Sequence, residues 1–211
     1  MTFAEIYGAV LERFDATSAV DIANAKRWVN LFGALLYEVE PWVFRYGTDD
    51  VSTSVGVIDV TGEATDMGKV LSVWNAQGVE LVELAPLDFY RTYQAMVALA
   101  QTGKPEAYTL FASQLRVGPP SNEAATYRAL YLRRWTDLAA DGDDPATVNS
   151  FPTSFHWLLV SGAMATGQAH FQDPTGALLE PVVARGMSGL QREFLTETPS
   201  VNEQWGSLAW P

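Results

Sequence analysis

The chain has 211 residues, 48% of them apolar and 18% charged, enough for one substantial domain with a core and too apolar for wholesale disorder. Thirteen basic against 25 acidic residues give a formal charge of −12, which argues against a tight grip on nucleic-acid phosphates, a task that needs clustered Lys and Arg. With no cysteine there is no disulfide framework, thiol nucleophile or thiolate metal site, a composition that fits a reducing compartment.

The start, Met1-Thr2-Phe3-Ala4-Glu5, lacks the basic and then apolar pattern of a signal peptide. The most apolar stretch, Phe155–Phe171, carries two histidines and a glutamine. It is short of the ~20 residues a membrane span needs, so a buried core helix in a soluble protein is expected.

Thr2-x-x-Glu5 is a capping box, and Phe3, Ile6, Tyr7, Val10, Leu11 and Phe14 recur at three and four, predicting a helix over Phe3–Phe14. Ser18 and Asp21 cap a second helix running to about Glu40. Its apolar positions Ile22, Ala25, Val29, Phe32 and Leu36 are flanked by a second stripe, Trp28, Leu31, Leu35 and Val39. A stripe this wide needs cover on two sides, from partner helices or another subunit. Pro41 ends the helix.

From Val51 the period becomes two. Val51, Thr53, Val55 and Val57 read as one covered face of a strand. "KVLSVW" and "VELVELA" follow, joined by a hairpin turn at Asn75-Ala76-Gln77-Gly78. Pro86 opens a helix with Phe89, Tyr93, Met96 and Ala100 in line. Beyond Gly103-Lys104-Pro105 come the strands "EAYTLFA", "LRV" and, after Gly118-Pro119-Pro120, "ATYRALYLRRW". Asp137–Pro152 is a polar, turn-rich link. Phe155–Phe171 is a helix. Asp173-Pro174 suits the start of another, with Leu179, Val183, Met187, Leu190 and Phe194 as its stripe. Pro181 either kinks that helix or stands in the first turn of a shorter one.

The expected fold is α+β. A four-helix bundle is made by both chain ends (1–46 and 151–197), with a β-rich insertion over 47–150 and an extended tail over 198–211.

The search for chemistry gives little. His156 and His170 lie ~21 Å apart on one predicted helix and cannot share a metal; packing roles are the plainer reading. Asp141-Gly142-Asp143-Asp144 lacks the alternating ligands and closing glutamate of a calcium loop. Glu80, Glu83 and Asp88 suit solvated charges better than an acid–base pair. No phosphate-cradling glycine loop or nucleophile elbow occurs, and neither cofactor, metal nor enzymatic activity is expected. Trp28, Trp74 and Trp157 are read as core. Trp205 and Trp210, on the tail, either dock a partner or pack back onto the bundle.

"TFAEIYGAVLERF", "AKRWVNLFGALLYEVEPWVF", a β-rich middle, "TGKPEAYTLFASQLRVGPP", "SFPTSFHWLLVSGAMATGQ" and a last amphipathic helix together resemble the head-to-tail adaptor (connector) proteins of tailed phages. The resemblance covers Phe3 to Phe194. It rests on order and spacing: the capped helix, Arg27-Trp28-Val29-Asn30, the stop at Pro41-Trp42, Gly103-x-Pro105-x-x-Tyr108, and Phe151-Pro152 before the third bundle helix.

The resemblance implies a structural virion protein at the head-to-tail interface, made in the host cytoplasm. Such proteins form a ring, usually of twelve copies, beneath the portal protein. They extend the DNA channel for genome ejection and meet the next neck or tail completion protein, with DNA passing without specific binding and no membrane involved. Arg27, Trp28, Phe32 and Trp42 are the expected bundle and ring interface. Val201, Trp205, Leu208, Trp210 and Pro211 are the expected portal-docking residues. A head stopper or tail terminator, and a carboxylate-dependent hydrolase, are the rival readings; the former are built mainly of strands.

Overall fold

The computed structural model describes residues 1–62, 65–111, 114–171 and 179–194. Among them are six α-helices and seven strands, a mixed α+β protein. The chain divides into two compact units, Met1–Arg45 with the residues from Trp135 onward, and Tyr46–Arg134. Residues 135–150, read from sequence as part of the insertion, thus fold with the helices. The expected tail over 198–211 lies outside the described residues.

In the helical unit, α1 spans Phe3–Arg13. The Thr2 hydroxyl accepts from the Glu5 amide at 3.3 Å, and the Glu5 carboxylate accepts from the Thr2 amide at 2.7 Å, the reciprocal pair that Thr2-x-x-Glu5 predicts. Two more amides of the first turn, Phe3 and Ala4, donate to the carbonyls of Asp143 and Asp141 at 2.6 and 3.0 Å. The helix start is therefore satisfied by the link that follows the insertion.

Helix α2 spans Ala19–Val39, capped by the Ser18 hydroxyl, which accepts from the Asp21 amide. Glu40 is extended, with ψ 153°, because a residue before proline is pushed out of the helical region. The chain then doubles back on the helix end. The Trp42 indole donates to the Leu36 carbonyl at 2.6 Å, and the Arg45 guanidinium donates to the carbonyls of Tyr37 and Glu40. Carbonyls that the ending helix leaves without partners are thus taken by side chains just past the proline.

After the short α4 (Pro145–Val148) and a 3-10 turn over Thr153–Phe155, α5 spans His156–Phe171 and α6 spans Leu179–Phe194. Pro181 is the third residue of α6, in the first turn, where a missing amide hydrogen costs nothing. Helix α5 packs against α1, α2 and α6, and α1 packs against α2. Helix α6 lies chiefly on α5, so the arrangement is a three-helix cluster with a fourth helix laid on its central member. It differs in this from the expected closed bundle. Its core holds Phe3, Ile6, Val10, Val29, Leu36, Tyr37, Trp42, Phe151, Leu158, Leu159 and Leu190.

The second unit opens with β1 (Tyr46–Thr53), β2 (Val60–Thr61), β3 (Met67–Asn75) and β4 (Val82–Glu83). Helix α3 (Pro86–Ala98), β5 (Ala107–Phe111), β6 (Gln114–Gly118) and β7 (Ala125–Arg133) complete it. One sheet has the order β2-β1-β7-β3, the other β4-β5-β6. Strand β7 is the spine of the first, running antiparallel to β1 from Tyr46↔Leu132 to Thr53↔Ala125 and to β3 on its other side.

Strand β1 begins five residues earlier than the alternation at Val51 suggests and stops at Thr53. Val51 and Thr53 are buried as expected, but Val55 and Val57 are exposed. Gly56, with φ +75°, turns the chain there, and the Val57 amide donates to the Ser54 carbonyl. The turn expected at Asn75–Gly78 forms around the Asn75 carboxamide, which accepts from the amides of Gln77 and Val79. Beyond it, β4 pairs in parallel with β5. Helix α3 covers the second sheet through Phe89 and Tyr93; Ala100, expected on that stripe, lies past the helix end and is exposed.

Candidate interaction surfaces

The groups weighed for chemistry have structural partners. His156 is buried, its Nδ1 3.1 Å from the Met1 ammonium and its Nε2 3.8 Å from Asp144, with the ring stacked on Phe151. Burial first, and the Met1 charge second, hold its pKa below the ordinary histidine value; this is a neutral packing histidine. His170 is 3.7 Å from Asp21 and edge-on to Trp28. The two histidines are thus anchored to different parts of the helical unit.

The Asp141–Asp144 turn is occupied by the protein itself. Asp141 pairs with Lys26 at 2.6 Å, Asp143 accepts from the amides of Ala139 and Ala140, and Asp144 caps α4. Among the described residues no cluster of His, Asp and Glu has the makings of a metal site.

Glu80 accepts from the Ser72 hydroxyl. Burial, followed by the nearby charges of Glu83 and Glu80, pushes the Tyr108 phenol up to about 12. A cleft of about 290 Å³ in this unit is lined by Asn75, Gln77, Lys104, Ser121, Glu123 and Tyr127 among others; Glu80, Glu83 and Asp88 are not in its lining. The carboxylates read as a possible acid–base set therefore do not converge on it.

The expected interface residues separate into three environments. Trp42 is fully buried in the helical core. Trp28 and Phe32 are half-buried in the seam between α2 and α5, where the backbone of α5 comes close: a Cβ at Gly162 would overlap the Phe32 ring, and one at Gly167 would lie 2.6 Å from Trp28. Arg27 is exposed on the outer face of α2, the face that also carries Leu31, Leu35 and Val39. Val201, Trp205, Leu208, Trp210 and Pro211 lie outside the described residues.

Sequence reasoning overlooked three groups. Gly162 and Gly167, five apart on α5, make the grooves that receive the α2 aromatics; the small-residue run "SGAMATG" is their trace in the sequence. Trp135 packs on Gly33 of α2, and its indole donates to the Asn30 carboxamide at 3.2 Å. Asn30 also accepts from the Leu138 amide and donates to the Leu138 carbonyl, tying the returning chain to α2. Trp157, expected in the core, is 40% exposed beside Phe155.

No helix among the described residues is long and apolar enough to cross a membrane. What the geometry defines is an α+β protein in which the polar groups weighed for chemistry are tied into the fold, with large apolar groups such as Leu31, Leu35 and Val39 exposed on α2. The sequence model of the family described as SU10 adaptor protein matches residues 1–200. The chain belongs to this family of phage adaptor proteins, in agreement with the likeness to head-to-tail adaptors. No curated protein matches it significantly.

Proposed function

We propose that the protein is a head-to-tail adaptor that forms a ring, of twelve copies, beneath the portal of the filled phage head. The ring lengthens the DNA channel and offers a platform to the next neck or tail completion protein. The observation that carries this reading is the family match over residues 1–200. Two features of the chain support it. The charge of −12 suits a conduit through which DNA slides without being held. Helix α2 is covered on one side by its own core and leaves Leu31, Leu35 and Val39 open beside Arg27, a face fit for a neighbouring copy.

On this reading Val201, Trp205, Leu208, Trp210 and Pro211 dock on the portal. Each buried large apolar group contributes ~1.5–3 kcal/mol, and ordering takes back ~1–2 kcal/mol per residue fixed. One segment binds weakly; a ring of them gains by avidity. The test is co-sedimentation with purified portal rings, followed by imaging of the complex. A ring of the protein on the portal's tail-facing side is expected, and deletion of residues 198–211 should abolish it while leaving the melting temperature nearly unchanged. Absence of binding by the full chain, or undiminished binding by the truncated one, would overturn the respective part of the proposal.

A further inference from the structure

Asn75, only 8% exposed, closes strand β3 opposite Tyr127 of β7. Its amide donates to the Val79 carbonyl, and its carbonyl accepts from the Gly78 amide, both at 2.9 Å. Its carboxamide oxygen accepts from the amides of Gln77 and Val79 at 3.0 and 2.9 Å. Two backbone donors on that oxygen fix which way the carboxamide points. The NH2 is then the one polar group of the residue without a protein partner. It is not sealed from solvent, so it opens on the cleft of about 290 Å³ that Asn75 lines. A nearly buried side chain that keeps its NH2 for a cleft is placed to meet an acceptor there.

The other walls of the cleft are equally fixed. Lys104 stands between Gly103 and Pro105, and Gly103 is clamped to the segment that faces it. The Gly103 amide donates to the Pro120 carbonyl at 2.8 Å, and the Gly103 carbonyl accepts from the Asn122 amide at 3.0 Å. No side chain fits at this clamp, since a Cβ on Gly103 would lie 2.9 Å from the Pro119 ring. On the facing segment Ser121 is fully buried, and its hydroxyl donates to the Glu123 carbonyl, setting the turn that carries Glu123. The Lys104 and Glu123 side chains both line the cleft and are exposed. They form no ion pair with each other or with any other described residue.

We infer that this cleft binds a small zwitterion of the amino-acid and short-peptide class. Its carboxylate accepts from the Asn75 NH2 and the Lys104 ammonium, and its ammonium donates to the Glu123 carboxylate. The charges select this class. A plain anion would be brought up against Glu123 and a plain cation against Lys104, while an apolar molecule would strip water from both without replacing it. The cleft, at about 290 Å³, is at the small end of ligand sites, which run from ~300 Å³ upward. Walls held by backbone hydrogen bonds need little ordering when the ligand enters. The inference stands apart from the adaptor reading, since none of these residues belongs to the expected docking or ring contacts.

The test follows the isotope-labelled full chain by NMR while glycylglycine is added. Saturable shifts are expected at the Asn75 side-chain NH2 and at the backbone amides of Lys104 and Glu123. Acetate and methylammonium each carry half of the charge pattern and should bind at least tenfold more weakly. Asn75→Asp keeps an oxygen for the Gln77 and Val79 amides but removes the donor, and should abolish the shifts at Lys104 and Glu123. Lys104→Gln and Glu123→Gln change exposed side chains outside that turn. Each should weaken glycylglycine binding at least tenfold without moving the melting temperature. Absence of saturable shifts in the parent, equal binding of acetate, or indifference to both Lys104→Gln and Glu123→Gln would overturn the inference.

Discussion

The ring of Phe32 lies on the bare backbone of Gly162, so close that a Cβ there would overlap it. Helices α2 and α5 meet at this point because one offers an aromatic ring and the other has no side chain to hold it off. Gly162→Ala should therefore destabilise the helical unit by ~1–3 kcal/mol through overpacking, despite the better helix propensity of alanine. Phe32→Ala should cost about 3 kcal/mol, at the low end for a buried phenylalanine because the ring is half-buried. Urea melts of both variants and of the double variant check this: the double should cost clearly less than the two singles together, since the methyl group introduced at position 162 enters the space the ring has left. A Phe32→Ala melt indistinguishable from the parent would place that ring outside the packing of the unit.

The Asn30 carboxamide holds the chain that returns from the β-rich unit: it accepts from the Trp135 indole and the Leu138 amide and donates to the Leu138 carbonyl. Asn30→Ala strips partners from part-buried polar groups and should cost ~1–3 kcal/mol. Asn30→Asp keeps the two accepting contacts but sets a carboxylate against the Leu138 carbonyl, and should also destabilise. The urea midpoint is the readout, and a cost confined to Asn30→Asp would show that the Trp135 and Leu138 contacts are dispensable.

Stability should fall with acid through His156. Burial first, and the Met1 ammonium at Nδ1 second, hold the imidazole pKa below its ordinary value, against Asp144 at Nε2 and the backbone of Phe151 and Met1, which act in the opposite direction. In the unfolded chain a histidine titrates at about 6.5. Above that pH neither state binds the proton and the contribution to stability is complete. Below it the unfolded chain takes a proton that the folded one refuses, so stability declines until the lower, folded pKa is reached. Denaturation midpoints between pH 7.5 and 5.5 should drop for the parent and stay flatter for His156→Gln. Equal slopes would show that other groups set the acid response.

In the ring proposed above each copy would carry a charge of −12, and repulsion between copies is screened to a range of ~8 Å near physiological ionic strength. The free protein should be mainly monomeric at low salt, with rings favoured by added salt or by the portal. Sedimentation velocity across a salt series reads this directly. A dimer stable at every salt concentration and indifferent to portal rings would count against assembly on the portal.

Much of the local structure was legible in the sequence because it rests on neighbouring residues. The capping box at Thr2 and Glu5, the Ser18 cap, the stop at Pro41, the turn at Asn75–Gly78 and Pro86 at a helix start each follow from sterics or hydrogen bonds within a few positions. The apolar faces of α1, α2 and α3 were equally readable, since a period of 3.6 fixes which side is buried. The family likeness rested on the order and spacing of the Thr2–Glu5 cap, Arg27–Asn30, the Pro41-Trp42 stop, Gly103-x-Pro105-x-x-Tyr108 and Phe151-Pro152.

What covers each face was decided only in three dimensions. Periodicity marks a side to be buried but does not name its partner. The sequence therefore placed Phe32 and Trp28 on an apolar stripe without revealing that Gly162 and Gly167 receive them. It assigned Trp135 to the end of a strand, whereas the indole is drawn onto Gly33 and Asn30 of α2, a hundred residues away along the chain. It extended β1 to Val57, because alternation persists past the point where Gly56 turns the backbone. It took Trp157 for core, because α5 is apolar nearly all round and only its packing against α1, α2 and α6 settles which positions stay open. Local chemistry sets the elements and their faces; the pairing of faces depends on contacts between residues far apart in sequence, and those exist only once the chain has folded.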